Sequence, residues 1–450
     1  MFDRSPLRML VLCVVITVLV RTGIILVSPT AFQEDPDAYR AIATTIAKHN
    51  VFGITDSDGQ PRATAFRPPL YPLILSSLCT PSELPKFRVA AMHVIFAAVT
   101  SMLVFDCVLR LPGYSGVHFG RIRRPDLALL ASVTVAIDPI LLRQSAEVMT
   151  ETTATLLSAA VIWAWIRLSM VKDANRAWPR AAGLGLLLGL GYLCRPPFLV
   201  WAVLICFAML IVASRSKSPS RRTRHLITFG LTACMCSIAV ITWTMRNRVA
   251  VGHPVWATSH GGYTLLLANN ELFYDHLHAK PFGSVWDAQP FLNAYNHRFD
   301  ADPRDASFWY ERWDLPPKPT GPITENEDDQ LCAASAWATI RRRPMMFAWS
   351  CVIRTARLWS PLPHAVGDRS RLGIGLVAVF YGLLYVAVAV TLWRHGRVVF
   401  SKPWWSMWLL LVTLTAVHAV YWSNLRMRAP AIPALAILAV MSAGKLKVES

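Results

Sequence analysis

QEDPDAYRAIATTIAKHNVFGITDSDGQPRATAFRPPLYP, residues 33–72, follows the first apolar run of the chain and frames the reading of the rest. Two carboxylates, Asp35 and Asp37, stand a few residues past an apparent membrane exit. Tyr39, Ile42, Ala43 and Ile46 then recur at helical spacing, so the acids open an amphipathic helix suited to a membrane surface. The stretch closes on Arg67-Pro68-Pro69-Leu70-Tyr71-Pro72, a stiff segment that carries a cation back to the membrane. An acid pair and a cation at one membrane surface suit a substrate with an anionic lipid head and a nucleophilic hydroxyl. A solvated loop with idle charges has the same spacing, because a lone Asp-x-Asp is weakly specific. The chain around it has to decide.

Composition answers the question of class. Hydrophobic residues make up 54% and charged residues 16% of 450 residues, and the mean hydropathy is +0.39. A soluble protein of this size could not cover its surface with so few polar groups, whereas a multi-span membrane protein has no need to. The 17 tryptophans suit rings that sit at lipid–water interfaces. A net charge of +18 would suggest nucleic acid in a soluble chain. Here the basic residues gather in short loops between apolar runs, at Arg121/Arg123/Arg124, Lys172/Arg176/Arg180, Arg215 to Arg224, and Arg394/Arg397/Lys402. That is the positive-inside pattern, and it excludes a continuous nucleic-acid face. Nine scattered cysteines with no CxxC pair encode neither a zinc site nor a disulfide framework.

The apolar runs predict an all-α integral membrane protein with about ten spans, near 9–27, 89–109, 127–142, 151–168, 181–194, 198–213, 226–245, 373–393, 404–422 and 429–441. Arg4 and Arg8 before the first span, and Lys445/Lys447 after the last, place both termini inside. The whole chain reads as one polytopic domain, with a first outer loop at 29–86 and a large outer region at 246–345. Within the latter, Thr324 and Glu327 form a capping-box pattern that opens a helix to about Arg343. The segment 345–360 carries Arg354 and Arg357 on one face, so it is expected to lie at the interface rather than strand two cations in lipid. His253, His260, His276, His278 and His297, with Glu271 and Asp275, are too irregularly spaced to read as a metal site.

Drawn this way, the topology brings isolated polar residues to one depth on one side. They are Asp35/Asp37, Arg67, Glu147/Glu151, Arg195, Arg246/Asn247 and Arg426/Arg428. Their setting resembles a family. Asp35 to Tyr39 followed by Ala43 is similar to the Asp-x-x-x-Tyr-x-x-x-Ala signature in the first outer loop of lipid-phosphate-sugar glycosyltransferases of the GT-C fold. These include protein O-mannosyltransferases, lipid A aminoarabinose transferases and lipopolysaccharide-core transferases. Arg67 to Tyr71 resembles their Arg/Lys-Pro-Pro element, Met149-Thr150-Glu151 their acidic opening of the fourth span, and Gly191 to Pro196 their Gly-x-x-x-Arg-Pro turn. Trp243 to Asn247 with Gly252 to Val255 is similar to their Trp-x-x-Arg-Asn…Gly-x-Pro segment, and Arg426 with Pro430 and Pro433 to their Arg-x-x-x-Pro-x-x-Pro. One departure stands out: many members follow the first-loop Asp with Glu, and here that place is Pro36.

The resemblance implies transfer of a sugar from a polyprenyl phosphate to a hydroxyl of a lipid, glycan or protein, at the outer face of a bacterial inner membrane. A positioned carboxylate must take the hydroxyl's proton. Asp35 is the first candidate, by its spacing to Tyr39, and Asp37 the second. Cations would stabilise the departing phosphate. Arg67 leads these, with Arg195, Arg246 and Arg426 behind it, and Tyr39, Glu151 and Asn247 would support. No nucleotide or obligatory metal is required; a divalent cation is compatible with this chemistry but not indicated by the residues. A secondary transporter and a non-catalytic assembly protein of the same fold are the alternatives. The first would want ionisable residues near span midpoints.

Overall fold

The computed structural model describes residues 5–81, 83–112, 114–117, 123–171, 173–296, 323–363 and 370–446. Arg4, Arg121, Lys172, His297 and Lys447 lie outside them. Among the described residues, eight helical segments are long and apolar enough to cross a membrane. They are α1 (Pro6–Val27), α4 (Lys86–Arg110), α7 (Glu151–Ser169), α9 (Pro197–Ser214), α10 (Pro219–Ala250), α16 (Arg371–Val399), Lys402–Val420 and Leu425–Ala443. The last two contain α17 (Trp405–Val420) and α18 (Ile432–Val440), each preceded by a 3-10 turn.

Two expected spans take another form. The run 127–142 breaks into α5 (Arg124–Ala136) and α6 (Pro139–Gln144), because Asp138 caps the second helix, accepting from the Leu141 amide, and Pro139 cannot continue the first. The run 181–194 is the later part of a longer helix, α8 (Ala174–Cys194), whose first turns carry Arg176 and Arg180. Both helices still pack within the bundle, α5 on α1, α4 and α18, and α8 on α7, α9 and α10.

The core is continuous through these helices, and every residue of α18 is buried. A helix that is apolar all round belongs at the centre of a bundle, and α18 sits against α4, α5, α7 and α16. The α8–α10 contact is the tightest kind. A Cβ on Gly185 would lie 2.9 Å from the Met235 Cβ and closer still to the Thr232 carbonyl oxygen, and one on Gly189 would lie 2.9 Å from the Ala239 Cβ. The four-residue spacing of these glycines makes a groove for α10, and the Thr232 hydroxyl crosses it to donate to the Ala181 carbonyl at 3.0 Å.

A layer of shorter elements covers one end of the bundle. From the first outer stretch come α2 (Tyr39–His49), the antiparallel hairpin β1 (Gly53–Thr55) and β2 (Pro61–Ala63), and α3 (Leu70–Ser76). The amphipathic reading of α2 holds, with Tyr39, Ile42 and Ala43 buried. From the large outer region come α11 (Gly261–Ala268), α12 (Glu271–Ala279), α13 (Gln289–Asn296) and α14 (Glu325–Arg342). Helix α14 opens on the capping box expected of Thr324 and Glu327, with both reciprocal bonds made. The next helix, α15 (Pro344–Trp359), departs from the expectation in its reason rather than its existence. Arg354 and Arg357 do not face lipid. Arg354 is fully buried and donates to the Ala268 and Ala419 carbonyls, both at 2.6 Å, while Arg357 donates to the Ser284 carbonyl at 3.2 Å. Ala268 ends α11 and Ala419 lies in the last turn of α17, so one guanidinium satisfies the orphan carbonyls of two helix C-termini.

Candidate functional site

The segment between α1 and α2 turns sharply, and the turn separates its two acids. Ala38 takes a left-handed conformation at φ 58°, unusual for a residue with a Cβ. This folds Asp35 back over the start of α2, where its two oxygens accept from the amides of Arg40 at 3.1 Å and Ala41 at 3.0 Å. Asp35 therefore serves as a two-pronged cap on helix amides that would otherwise lack partners. Asp37 points the other way. Its carboxylate meets Arg67 at 2.7 Å, and the Arg67 Nε donates to the Asp37 carbonyl at 2.9 Å.

Arg67 is held from behind by the Pro68-Pro69 step into α3 and by rings. Its guanidinium lies 4.3 Å from the Phe66 centroid and 5.8 Å from that of Tyr39. Tyr39 packs edge-on against the buried Tyr71 of α3, whose hydroxyl meets the His93 Nε2 at 3.0 Å. Three further groups arrive from helix ends. Glu151 is the first residue of α7 and is fully buried, Arg195 follows the last turn of α8, and Arg426 sits in the 3-10 turn Leu425–Ala431. Arg426 reaches Glu151 at 3.2 Å and Asp37 at 3.9 Å, and Arg195 reaches Glu151 at 3.6 Å. The result is a chain, Arg67–Asp37–Arg426–Glu151–Arg195, of three guanidiniums against two carboxylates. An excess of cations in a partly dry setting favours an anion.

Beside Arg426 opens a cavity of about 700 Å³, with Arg143, Glu147, Tyr381 and Asn424 among its polar lining and Ile140 and Val377 among its apolar lining. Arg143 and Glu147 pair with each other at 2.9 Å. Tyr381 is a residue that sequence reasoning missed. A tyrosine inside an otherwise apolar run was the available signal, since its hydroxyl needs a buried partner. It donates to Asp138 at 2.8 Å, and the buried Arg428 guanidinium lies 3.8 Å from its ring centroid.

Three candidates stand outside the ion chain for stated reasons. Asp35 caps α2, as described. Arg246 donates to the Thr64 carbonyl at 2.7 Å and the Phe52 carbonyl at 2.6 Å, tying α10 to the β1–β2 hairpin. Asn247 accepts from Arg246 and donates to the Val255 carbonyl at 2.7 Å, so it shapes the turn after α10. Of the groups considered for metal, Glu271 and Asp275 pair with Arg343 at 2.9 and 2.6 Å, and His260 stacks on Tyr263.

No protein-family profile matches the chain, and no curated protein matches its sequence. The likeness lies in the architecture. The crystal structure of an Archaeoglobus fulgidus oligosaccharyltransferase, in complex with zinc and sulfate, matches at a TM-score of 0.50 and 12% identity over 96% of this chain. The fold is GT-C. This chain spans 48% of that oligosaccharyltransferase, about half its length. Two crystal structures of ArnT from Cupriavidus metallidurans also match, each over 96% of this chain and 77% of theirs. One is bound to undecaprenyl phosphate (TM-score 0.40, 11% identity) and one is in the apo state (TM-score 0.37, 12% identity). The GT-C bundle here is a multi-pass membrane protein whose helix ends, together with the covering layer, carry the ion chain at one end.

Proposed function

We propose that this GT-C protein is a glycosyltransferase that moves a sugar from a polyprenyl-phosphate donor to an acceptor hydroxyl, at the outer face of a bacterial inner membrane. The observation that carries the reading is the chain of three arginines and two carboxylates beside a 700 Å³ cavity with an apolar wall. A lipid-linked phosphate fits that combination, its chain along the apolar wall and its charge against Arg426, which lines the cavity and neighbours the Asp37–Arg67 pair.

In the reaction the acceptor oxygen bonds to the anomeric carbon as the bond from that carbon to the phosphate oxygen breaks. The electron pair leaves on the phosphate, the proton passes to a carboxylate, and the anomeric centre inverts. Growing charge on the phosphate is met by guanidiniums already in place, which is where preorganised groups contribute most. The geometry favours Asp37 as the base over Asp35, whose oxygens are engaged by α2. Asp37 and the donor phosphate compete for the same two arginines, so donor binding would release the carboxylate to accept a proton. Glu151 would hold Arg195 and Arg426 in register. The residues require no resident metal. A transporter would place its ionisable groups along the spans. The ion chain instead gathers at one end.

The test is transfer from a panel of labelled polyprenyl-phosphate sugars by membranes containing the protein, which also names the sugar. Asp37→Asn should lower turnover by at least about a hundredfold while donor binding persists. Asp35→Asn should keep turnover within a few-fold and show its effect in thermal stability. The opposite result would make Asp35 the base. If both variants transfer at the normal rate, the reading fails and a non-catalytic assembly role takes its place.

A further inference from the structure

The last turn of α15 buries Arg357, which is 8% exposed, and among the described residues no carboxylate pairs with it. Its Nη2 donates to the Ser284 carbonyl at 3.2 Å, and its guanidinium lies 5.5 Å from the Phe273 ring centroid. Its Nε is buried without a hydrogen-bond partner. The acids of the adjoining helix α12 are engaged elsewhere, since Glu271 pairs with Arg342 and Arg343, and Asp275 with Arg343. Arg354, one turn earlier and of the same sign, is the charge that Arg357 feels, so burial and repulsion both oppose its ionised form. A buried cation and an unmet N–H each cost free energy unless an anion joins them.

Arg357 lines a small pocket together with His276 and Lys280 from the end of α12, the turn 281–284, and Trp349 of α15. The turn is fixed, with the Ser284 amide donating to the Pro281 carbonyl at 3.1 Å and Gly283 at φ 87°, a conformation that favours glycine. Among the described residues, neither the His276 ring nor the Lys280 ammonium has a hydrogen bond or an ion pair, and no carboxylate lines the pocket. The pocket offers about 20 Å³, room for roughly one water-sized group. An oxyanion therefore enters by one oxygen, towards Arg357, and the rest of it stays at the rim with His276 and Lys280.

Around that rim the surface is apolar. Met345, Trp349 and Val352 recur at i, i+4 and i+7 on α15 and are all exposed, and the exposed Phe282 ring stands beside Trp349 with centroids 6.3 Å apart. A stripe of this kind lays a helix in the lipid interface, at the depth of the head-group phosphates. We infer that Arg357, His276 and Lys280 bind the phosphodiester anion of an anionic phospholipid, in the leaflet on the side of the ion chain, with its acyl chain along Trp349 and Val352. Free phosphate shares the charge and leaves the apolar stripe uncovered, so the lipid is the better fit. This site does not depend on the glycosyltransferase reading.

The experiment uses the full chain in nanodiscs of phosphatidylcholine, whose phosphate is balanced by its own choline, with and without phosphatidylglycerol. It reads the thermal midpoint and the lipid retained in native mass spectrometry. Phosphatidylglycerol should raise the midpoint by about 2–4 °C, the scale expected of a ligand present well above its dissociation constant. Arg357→Met should lose that shift and one retained lipid, yet match or exceed wild type in phosphatidylcholine alone, because it removes a buried charge that has no partner there. Lys280→Gln, at the exposed rim, should lose at least half of the shift. Arg341→Gln, an exposed cation of α14 outside the pocket, should behave as wild type. Equal shifts in all variants would overturn the site by showing a diffuse surface effect. A midpoint for Arg357→Met well below wild type in phosphatidylcholine alone would also overturn it, by showing that the buried cation needs no anion. In detergent, inorganic phosphate should produce little shift. If it saturates the effect and phosphatidylglycerol adds nothing, free phosphate is the ligand and the lipid assignment falls.

Discussion

Replacing Gly185 and Gly183 by alanine, one at a time, separates packing from helix propensity on a single helix. Alanine favours a helix over glycine by about 1 kcal/mol, and that gain applies equally at both positions. At Gly183 an added Cβ meets nothing within 4 Å, so Gly183→Ala should stabilise the protein by up to about 1 kcal/mol. At Gly185 the same Cβ comes within 2.9 Å of Met235 Cβ, and nearer to the Thr232 carbonyl, against an ordinary contact of 3.4–4 Å. Helix α10 must therefore retreat by at least about half an ångström, which already forfeits about a quarter of each dispersion well across the contact. Overpacking of this kind costs about 1–3 kcal/mol, and stretching the 3.0 Å bond from Thr232 to the Ala181 carbonyl adds about 1 more. Net of the propensity gain, Gly185→Ala should destabilise by about 1–3 kcal/mol. Thermal unfolding of both variants in one detergent reads the difference directly. If Gly185→Ala is as stable as Gly183→Ala, the close approach of α8 and α10 is wrong.

Arg354→Met removes two charge-assisted bonds from the Ala268 and Ala419 carbonyls and should cost about 3–5 kcal/mol, measured in the same unfolding assay. Asp329 accepts from the Gly262 and Tyr263 amides, and burial pushes its carboxyl up to about 6, with those two bonds opposing. Its folded value lies above the unfolded one of about 3.9. The stability it confers is therefore complete below that value and lost as pH rises through about 6. Asp329→Asn keeps an accepting oxygen without the charge, so its thermal midpoint should exceed that of wild type above pH 6, and an advantage at low pH instead would contradict the assignment. If Arg67 meets the donor phosphate as proposed, Arg67→Ala should lower kcat/KM for the donor at least about tenfold while leaving the proposed base in place. Single cysteines at Ser57 and at Ser307, which lies outside the described residues, should both react with an impermeant reagent on intact cells in a cysteine-free background. Labelling of only one would separate 29–86 from 246–345.

Patterns that depend on neighbours in sequence are legible in the amino-acid order alone. The α2 stripe, the Thr324–Glu327 box and the break before Arg195 are all local, and each stands where its spacing put it. The Asp138-Pro139 break is legible too, as a cap followed by a proline, but a continuous apolar run masks it. What spacing cannot tell is which of Asp35 and Asp37 faces Arg67. That depends on the left-handed turn at Ala38, and nothing about an alanine announces such a turn. Arg354 escapes placement for a related reason. Its partners are carbonyls at Ala268 and Ala419, far away in sequence and with no side-chain signal of their own.

Glu151 also sets a condition on how the protein is made. Its carboxylate is fully buried, and its near charges are Arg195 and Arg426, both later in the chain. During synthesis from the N-terminus, α7 is threaded into the bilayer while neither guanidinium yet exists. A carboxylate without a counter-charge is drawn to the head groups rather than into hydrocarbon. Nascent α7 is thus held in a provisional placement until the α8–α9 turn delivers the first arginine. The second arrives only with Arg426, in the turn that opens the segment Leu425–Ala443. A chain cut short before Arg426 would leave Glu151 with one of its two counter-charges and the start of α7 without one of the contacts that fix it.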